Sequence, residues 1–346
     1  MNEENQLEQM AQRIPENRFN QPQSSSKPTI GYGAQFGILI GLFGFGMIVS
    51  TIVAAFLWIA ITHTDIFSLQ KNMSNPVYAN QLKIVQTVST LLMFFLPALV
   101  YAAIVNRKPL RHLGFISVFS KKQLLIIIGI VITGLFLTEG LGELNQIIPI
   151  PKKWELIFRN MEDSYSDSVV AMATMRNFAE YISVLIVIAL IPAVVEESFF
   201  RGALQQLFVK WFKNAWVGII ITSIIFSAIH ISYYGFIARA ALGIVLGLLF
   251  YYGKNIWLNI LAHFLNNAFA VTQLYIATKN GKLPKEIMNS NLPIISTGGS
   301  FLITLLSTAA ALLIVIWLIK LFKTESIHIG AAEIDTTISP SNNPFE

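Results

Sequence analysis

The stretch Tyr181 to Arg201 reads YISVLIVIALIPAVVEESFFR. From Tyr181 to Val195 it carries no charge, and a run of that kind extended by its neighbours is long enough to cross a hydrocarbon core of roughly 30 Å. Inside lipid the backbone N–H and C=O groups must be satisfied within the segment, so the run is expected to be a helix. Two adjacent acids, Glu196 and Glu197, follow at what the downstream lysines Lys210 and Lys213 mark as its cytoplasmic end.

Outward from this run, comparable apolar segments recur along the chain: Gln35 to Thr62, Ile84 to Val105, Leu124 to Leu137, Trp216 to Ile231, Phe236 to Tyr252, Ile256 to Ala277 and Phe301 to Phe322. With Tyr181 to Phe200 they predict an all-α polytopic membrane protein of about eight transmembrane helices. Of these, four lie between 179 and 278. The third segment is short, and its continuation through a Gly-containing stretch to Ile148 brings in Glu139 and Glu143, which mark its exit from the bilayer. Around the spans lie a polar, disordered tail over 1–34, an acid-rich loop from Gly140 to Glu180 within the 35–178 region, a loop within 279–323 and a C-terminal tail from 324 to 346.

Composition agrees. Of 346 residues 54% are apolar and 12% charged, with a mean hydropathy of +0.60, against roughly 25% charged in a soluble domain. The formal charge of +5 sits mostly in loops and at span ends, including Arg107, Lys108, Arg111, Lys121 and Lys122. It reads as positive-inside topology rather than nucleic-acid binding. Alternating spans then put both tails in the cytoplasm and the 140–180 loop outside. The polar, Asn-rich tails favour a bacterial inner membrane. There is no cysteine, which excludes disulfides, thiolate metal sites and cysteine nucleophiles.

Between Tyr181 and Lys285 the only acids are Glu196 and Glu197. Neighbours on a helix point about 100° apart, so the two are expected to do different jobs. Arg201, four residues after Glu197, shares its face in the favourable acid-before-base order and is expected to pair with it, leaving Glu196 aimed elsewhere. An anchoring ion pair at a helix end is the plainer reading of that motif. Two of the five histidines, His230 and His263, also lie within spans, and Asn267 is one turn beyond His263 on the same face. A single membrane histidine is most simply an interhelical hydrogen-bonding group, worth about 0.6 kcal/mol on average. A carboxylate, two imidazoles and an amide together are enough to activate a water, bind a metal or hydrogen-bond an oxyanion.

Other features are weaker. Gly243 and Gly247 have small-xxx-small spacing and are read as packing. Arg239 is open between a counter-charge, a substrate carboxylate ligand and a snorkelling side chain. Pro192 is expected to kink its helix.

In order along the chain, Glu196 to Arg201 form EExxxR, Phe226 to His230 form FxxxH, and His263 to Asn267 form HxxxN. The set resembles the CAAX prenyl protease type II and bacteriocin-processing (CPBP, or Abi) family of intramembrane endopeptidases, over roughly Tyr181 to Thr272. The resemblance implies a four-helix catalytic core over 179–278 with a Glu196 general base, a supporting Glu197–Arg201 pair, and His230, His263 and Asn267 completing the site. Should such a site hold one divalent metal such as zinc, its ligands would be Glu196, His230 and His263. The implied partners are membrane lipid and a membrane-associated peptide or protein substrate. Two rivals remain: a non-catalytic immunity or scaffold protein of the same fold, and a proton-coupled transporter. The absence of an internal repeat counts against the transporter.

Overall fold

The computed structural model describes residues 30–116, 118–281 and 301–338. Most of the predicted tail over 1–34, most of the 279–300 loop and the last eight residues lie outside them. The chain is an all-α, multi-pass integral membrane protein, with no strand among the described residues. Its principal helices are α1 (Tyr32–Thr62), α2 (Pro76–Val105), α3 (Lys121–Gln146), α4 (Lys152–Met172), α5 (Phe178–Phe212), α6 (Ala215–Ile229), α7 (Phe236–Gly253), α8 (Ile256–Lys279) and α9 (Phe301–Ile338).

Seven of these are long and apolar enough to span a membrane: α1, α2, α3, α5, α7, α8 and α9. The eighth predicted span is the exception. α6 has 15 residues, about 22 Å at 1.5 Å per residue, shorter than the roughly 30 Å of a hydrocarbon core that the other seven can span. α3 does continue beyond Leu137, as far as Gln146, and Glu143 accepts a hydrogen bond from the Thr304 hydroxyl at 2.8 Å. α1 begins at Tyr32 rather than Gln35, and α9 runs past Phe322 to Ile338. The acid-rich loop is largely a helix, α4.

Two apolar cores are the largest among the described residues. Leu39 of α1, Phe94, Ala98 and Tyr101 of α2, and Val195, Phe199, Phe200 and Leu204 of α5 form one, with Phe226 of α6. Ile127 and Ile130 of α3, Leu246 and Leu249 of α7, Ala262 of α8 and Val315 and Phe322 of α9 form the other. Large apolar side chains also face outward, among them Phe45, Phe56 and Leu313. In water such faces would be a liability, and in lipid they are the expected surface.

α5 corrects one expectation. Glu196 and Glu197 are not at the end of an apolar helix: they lie midway along a continuous 35-residue one, so the plain reading of an ion pair anchoring a helix end falls. The helix also widens ahead of Pro192. The Ile191 N–H reaches back five residues to the Ile186 carbonyl, and α2 repeats the device ahead of Pro97, with Leu96 N–H bonded to the Leu91 carbonyl. Proline has no N–H to give and its ring presses on the preceding turn, so a one-residue slip relieves both. A second widened segment, Ser198–Gln205, follows directly on Glu197 and carries Arg201.

Candidate active site

α5 and α8 bring four polar side chains together between the apolar cores. Glu197 is fully buried and its Oε1 accepts from Arg201 Nη1 at 2.8 Å and from His263 Nδ1 at 2.9 Å. Its Oε2 accepts from Asn259 Nδ2 at 3.3 Å. Arg201, also fully buried, donates from Nη2 to the Gly243 carbonyl at 3.3 Å, and its guanidinium lies 4.6 Å from the centre of the Phe226 ring. Asn259 also donates to the Leu246 carbonyl at 2.7 Å. Removing an ion pair from water costs several kcal/mol per ion, and only close geometry with supporting hydrogen bonds recovers it. Glu197 has three such donors.

The glycines of α7 make this approach possible. A Cβ on Gly243 would lie 2.9 Å from Ser223 Cβ, and one on Gly247 would lie 2.7 Å from Ile219 Cγ2 and 2.9 Å from Gln205 Oε1. α6 and α7 therefore pack backbone to side chain, and the exposed carbonyls of Gly243 and Gly247 receive Arg201 and Gln205, the latter at 3.0 Å. The two glycines are thus both a packing seam and a set of acceptors for α5.

Glu196 points away from this network. Its side chain is 14% exposed and its Oε2 lies 3.9 Å from His263 Nε2, too far for a direct hydrogen bond. Oε2 has no hydrogen-bond partner among the described residues. His230, capping α6, donates from Nδ1 to the Phe226 carbonyl at 2.7 Å, and it is within electrostatic reach of Glu196, Arg239 and His263. Both rings are thereby turned the same way. Their Nδ1 atoms are engaged by protein acceptors, and their Nε2 atoms are left for the cleft. Asn267 is one turn beyond His263, with Asn266 Nδ2 as its hydrogen-bond donor at 3.4 Å. It is not in contact with Glu196 in this arrangement.

α4 covers the cleft at the His230 end. Ser232 donates to Glu162 at 2.7 Å, Phe158 stacks on Tyr233 with centroids 4.9 Å apart and planes 4° from parallel, and Arg159 lies over the Tyr234 ring. Tyr165 of the same helix is within electrostatic reach of Arg239 and Glu196.

Of the six residues that the sequence singled out, the structure gathers Glu196, Glu197, Arg201, His230 and His263, and sets Asn267 one turn beyond His263 with a hydrogen bond from Asn266. Among the described residues no three His, Asp or Glu side chains are spaced as the ligands of one ion, the set Glu196, His230 and His263 included. Asn259 and Gln205 were missed. Both had a signal, since Asn259 is one turn before His263 and Gln205 one turn after Arg201, each extending a polar stripe already noticed.

Residues 178–269 match the family described as Type II CAAX prenyl endopeptidase Rce1-like. The match begins at the first residue of α5 and ends within α8, so it coincides with the four helices that build the cleft. The resemblance read from the three motifs stands over that segment. No curated protein and no solved structure matches the chain.

Proposed function

We propose that the chain is an intramembrane endopeptidase that hydrolyses a peptide bond of a membrane-associated polypeptide, with Glu196 as the general base. The observation that carries the reading is the contrast between the two glutamates. Glu197 is saturated by Arg201, His263 and Asn259, whereas Glu196 keeps an unpartnered oxygen facing His263 in the interior of a membrane protein. An ionisable group held there without a partner is costly unless it works.

In the proposed reaction a water lies between Glu196 and the scissile carbonyl. Its oxygen bonds to the carbonyl carbon as one proton passes to Glu196 Oε2. The oxyanion accepts a hydrogen bond from Asn267 Nδ2 and lies beside His263, whose ring Glu197 holds in place through Nδ1. The C–N bond then breaks as Glu196 returns the proton to the leaving amine, giving a new amine and a new carboxylic acid, which ionises by losing its proton to water. Membrane lipid is the medium; with α6 counted as the eighth crossing, both tails are proposed to face the cytoplasm, and a bacterial inner membrane is the proposed location.

Purified protein and membrane-anchored quenched peptides, incubated in ¹⁸O-water, test the reading. The expected product carries one ¹⁸O on the new C-terminal carboxylate. A chain that binds such peptides and never cuts them is the scaffold protein instead.

A further inference from the structure

The hydrolytic scheme leaves Arg239 without a task, yet its position is specific. Arg239 is in the first turn of α7 and folds back over the residue that caps the helix. A Cβ added to Gly235 would lie 2.8 Å from its Nη2 and 2.9 Å from both Cζ and Nη1, so the whole guanidinium plane rests on the bare Cα of Gly235. Gly235 has φ −96°, a value open to any residue, so this position requires the absence of a side chain rather than an unusual backbone.

A snorkelling arginine delivers its nitrogens to water. Here Nη1 is buried and has no hydrogen-bond partner among the described residues. Arg239 is within electrostatic reach of His230 and of Tyr165 of the covering helix, the same two groups that Glu196 reaches. A planar fork of donors with an unmet N–H, forming no ion pair with Glu196 among the described residues, matches a second carboxylate brought by the substrate. A polypeptide carries such a group at its C-terminus or on an Asp or Glu side chain.

We infer that Arg239, seated on Gly235, binds a carboxylate of the polypeptide substrate and so sets the distance from that carboxylate to the bond that is cut. This rests on the endopeptidase reading and adds a specificity-determining residue to it.

The test uses the full-length protein and membrane-anchored quenched peptides in matched pairs: C-terminal acid against C-terminal amide, and Glu against Gln near the cut. The expected result is a wild-type preference for one acid form, on the order of tenfold or more in kcat/KM and mostly in KM. The pair that shows it identifies the source of the carboxylate. Arg239→Gln and Gly235→Ala should erase the preference and leave turnover of the uncharged peptide within about twofold of wild type, which also reports that each variant is folded. Arg239→Lys should retain part of it, because a point charge keeps the attraction and loses the fork. A wild type that cuts acid and uncharged peptides alike overturns the anchor, as does an Arg239→Gln that slows both equally. A wild type that cuts none counts against the endopeptidase reading, and the anchor falls with it.

Discussion

His263 Nδ1 lies 2.9 Å from Glu197 Oε1, and this contact decides which ring nitrogen faces the cleft. Because Glu197 engages Nδ1, Nε2 is turned toward Glu196. The buried acid thus acts through the imidazole, and its own charge is matched by Arg201.

Breaking that match should cost fold stability before it costs chemistry. Glu197→Gln leaves the Arg201 guanidinium buried without a counter-charge, an effect of roughly 3–5 kcal/mol. The double variant Glu197→Gln with Arg201→Met should be less destabilised than the sum of the two single changes, because no charge is left unpaired. Thermal unfolding in detergent measures the cycle, and strict additivity would remove the energetic coupling claimed here.

The α6–α7 seam gives a second prediction. Gly247→Ala places a Cβ against Ile219 and Gln205 and should destabilise by about 1–3 kcal/mol. Gly142→Ala, at a position with open space around it, should be neutral or slightly stabilising, since alanine is the better helix former by up to about 1 kcal/mol. Melting temperatures of the two variants are the comparison.

His112, in the connection between α2 and α3, has its pKa lowered to about 4, first by burial and then by the neighbouring Lys210. A base whose folded pKa is depressed binds its proton more readily when unfolded. The native state is therefore penalised as pH falls through the ordinary histidine value near 6.5 toward 4. Stability should be flat above about pH 7 and decline across that window, with a smaller decline in His112→Gln. Equal declines in the two proteins would assign the acid sensitivity elsewhere.

In the proposed reaction Glu196 alone activates the water, so cleavage should survive dialysis against a chelator. Loss of activity restored by added zinc would place a metal in the cleft and make the Nε2 atoms of His230 and His263 its ligands.

Much of this was legible in the chain. Tyr181 to Val195 gave a membrane helix by hydropathy alone, and the i, i+4 spacing of Glu197 and Arg201 gave their pairing. What the sequence hid depended on tertiary or local backbone detail. A pattern of apolar residues continues through Glu196 without showing that the helix does too, so the acids read as a terminus. The widened turns before Pro97 and Pro192 alter hydrogen-bond register and leave no mark on composition. α4 is amphipathic and polar, and hydropathy sees it only as a loop. Its contacts, Ser232 with Glu162 and Phe158 with Tyr233, join residues some seventy positions apart.

The most direct test of the central claim is cleavage of a membrane-anchored peptide library by wild type and Glu196→Gln, purified side by side and matched for melting temperature. The side chain of Gln is nearly isosteric with that of Glu and takes up no proton, so the account predicts a folded variant whose cleavage is reduced at least about a hundredfold. Cleavage by Glu196→Gln at the wild-type rate would contradict the account and remove Glu196 from the reaction.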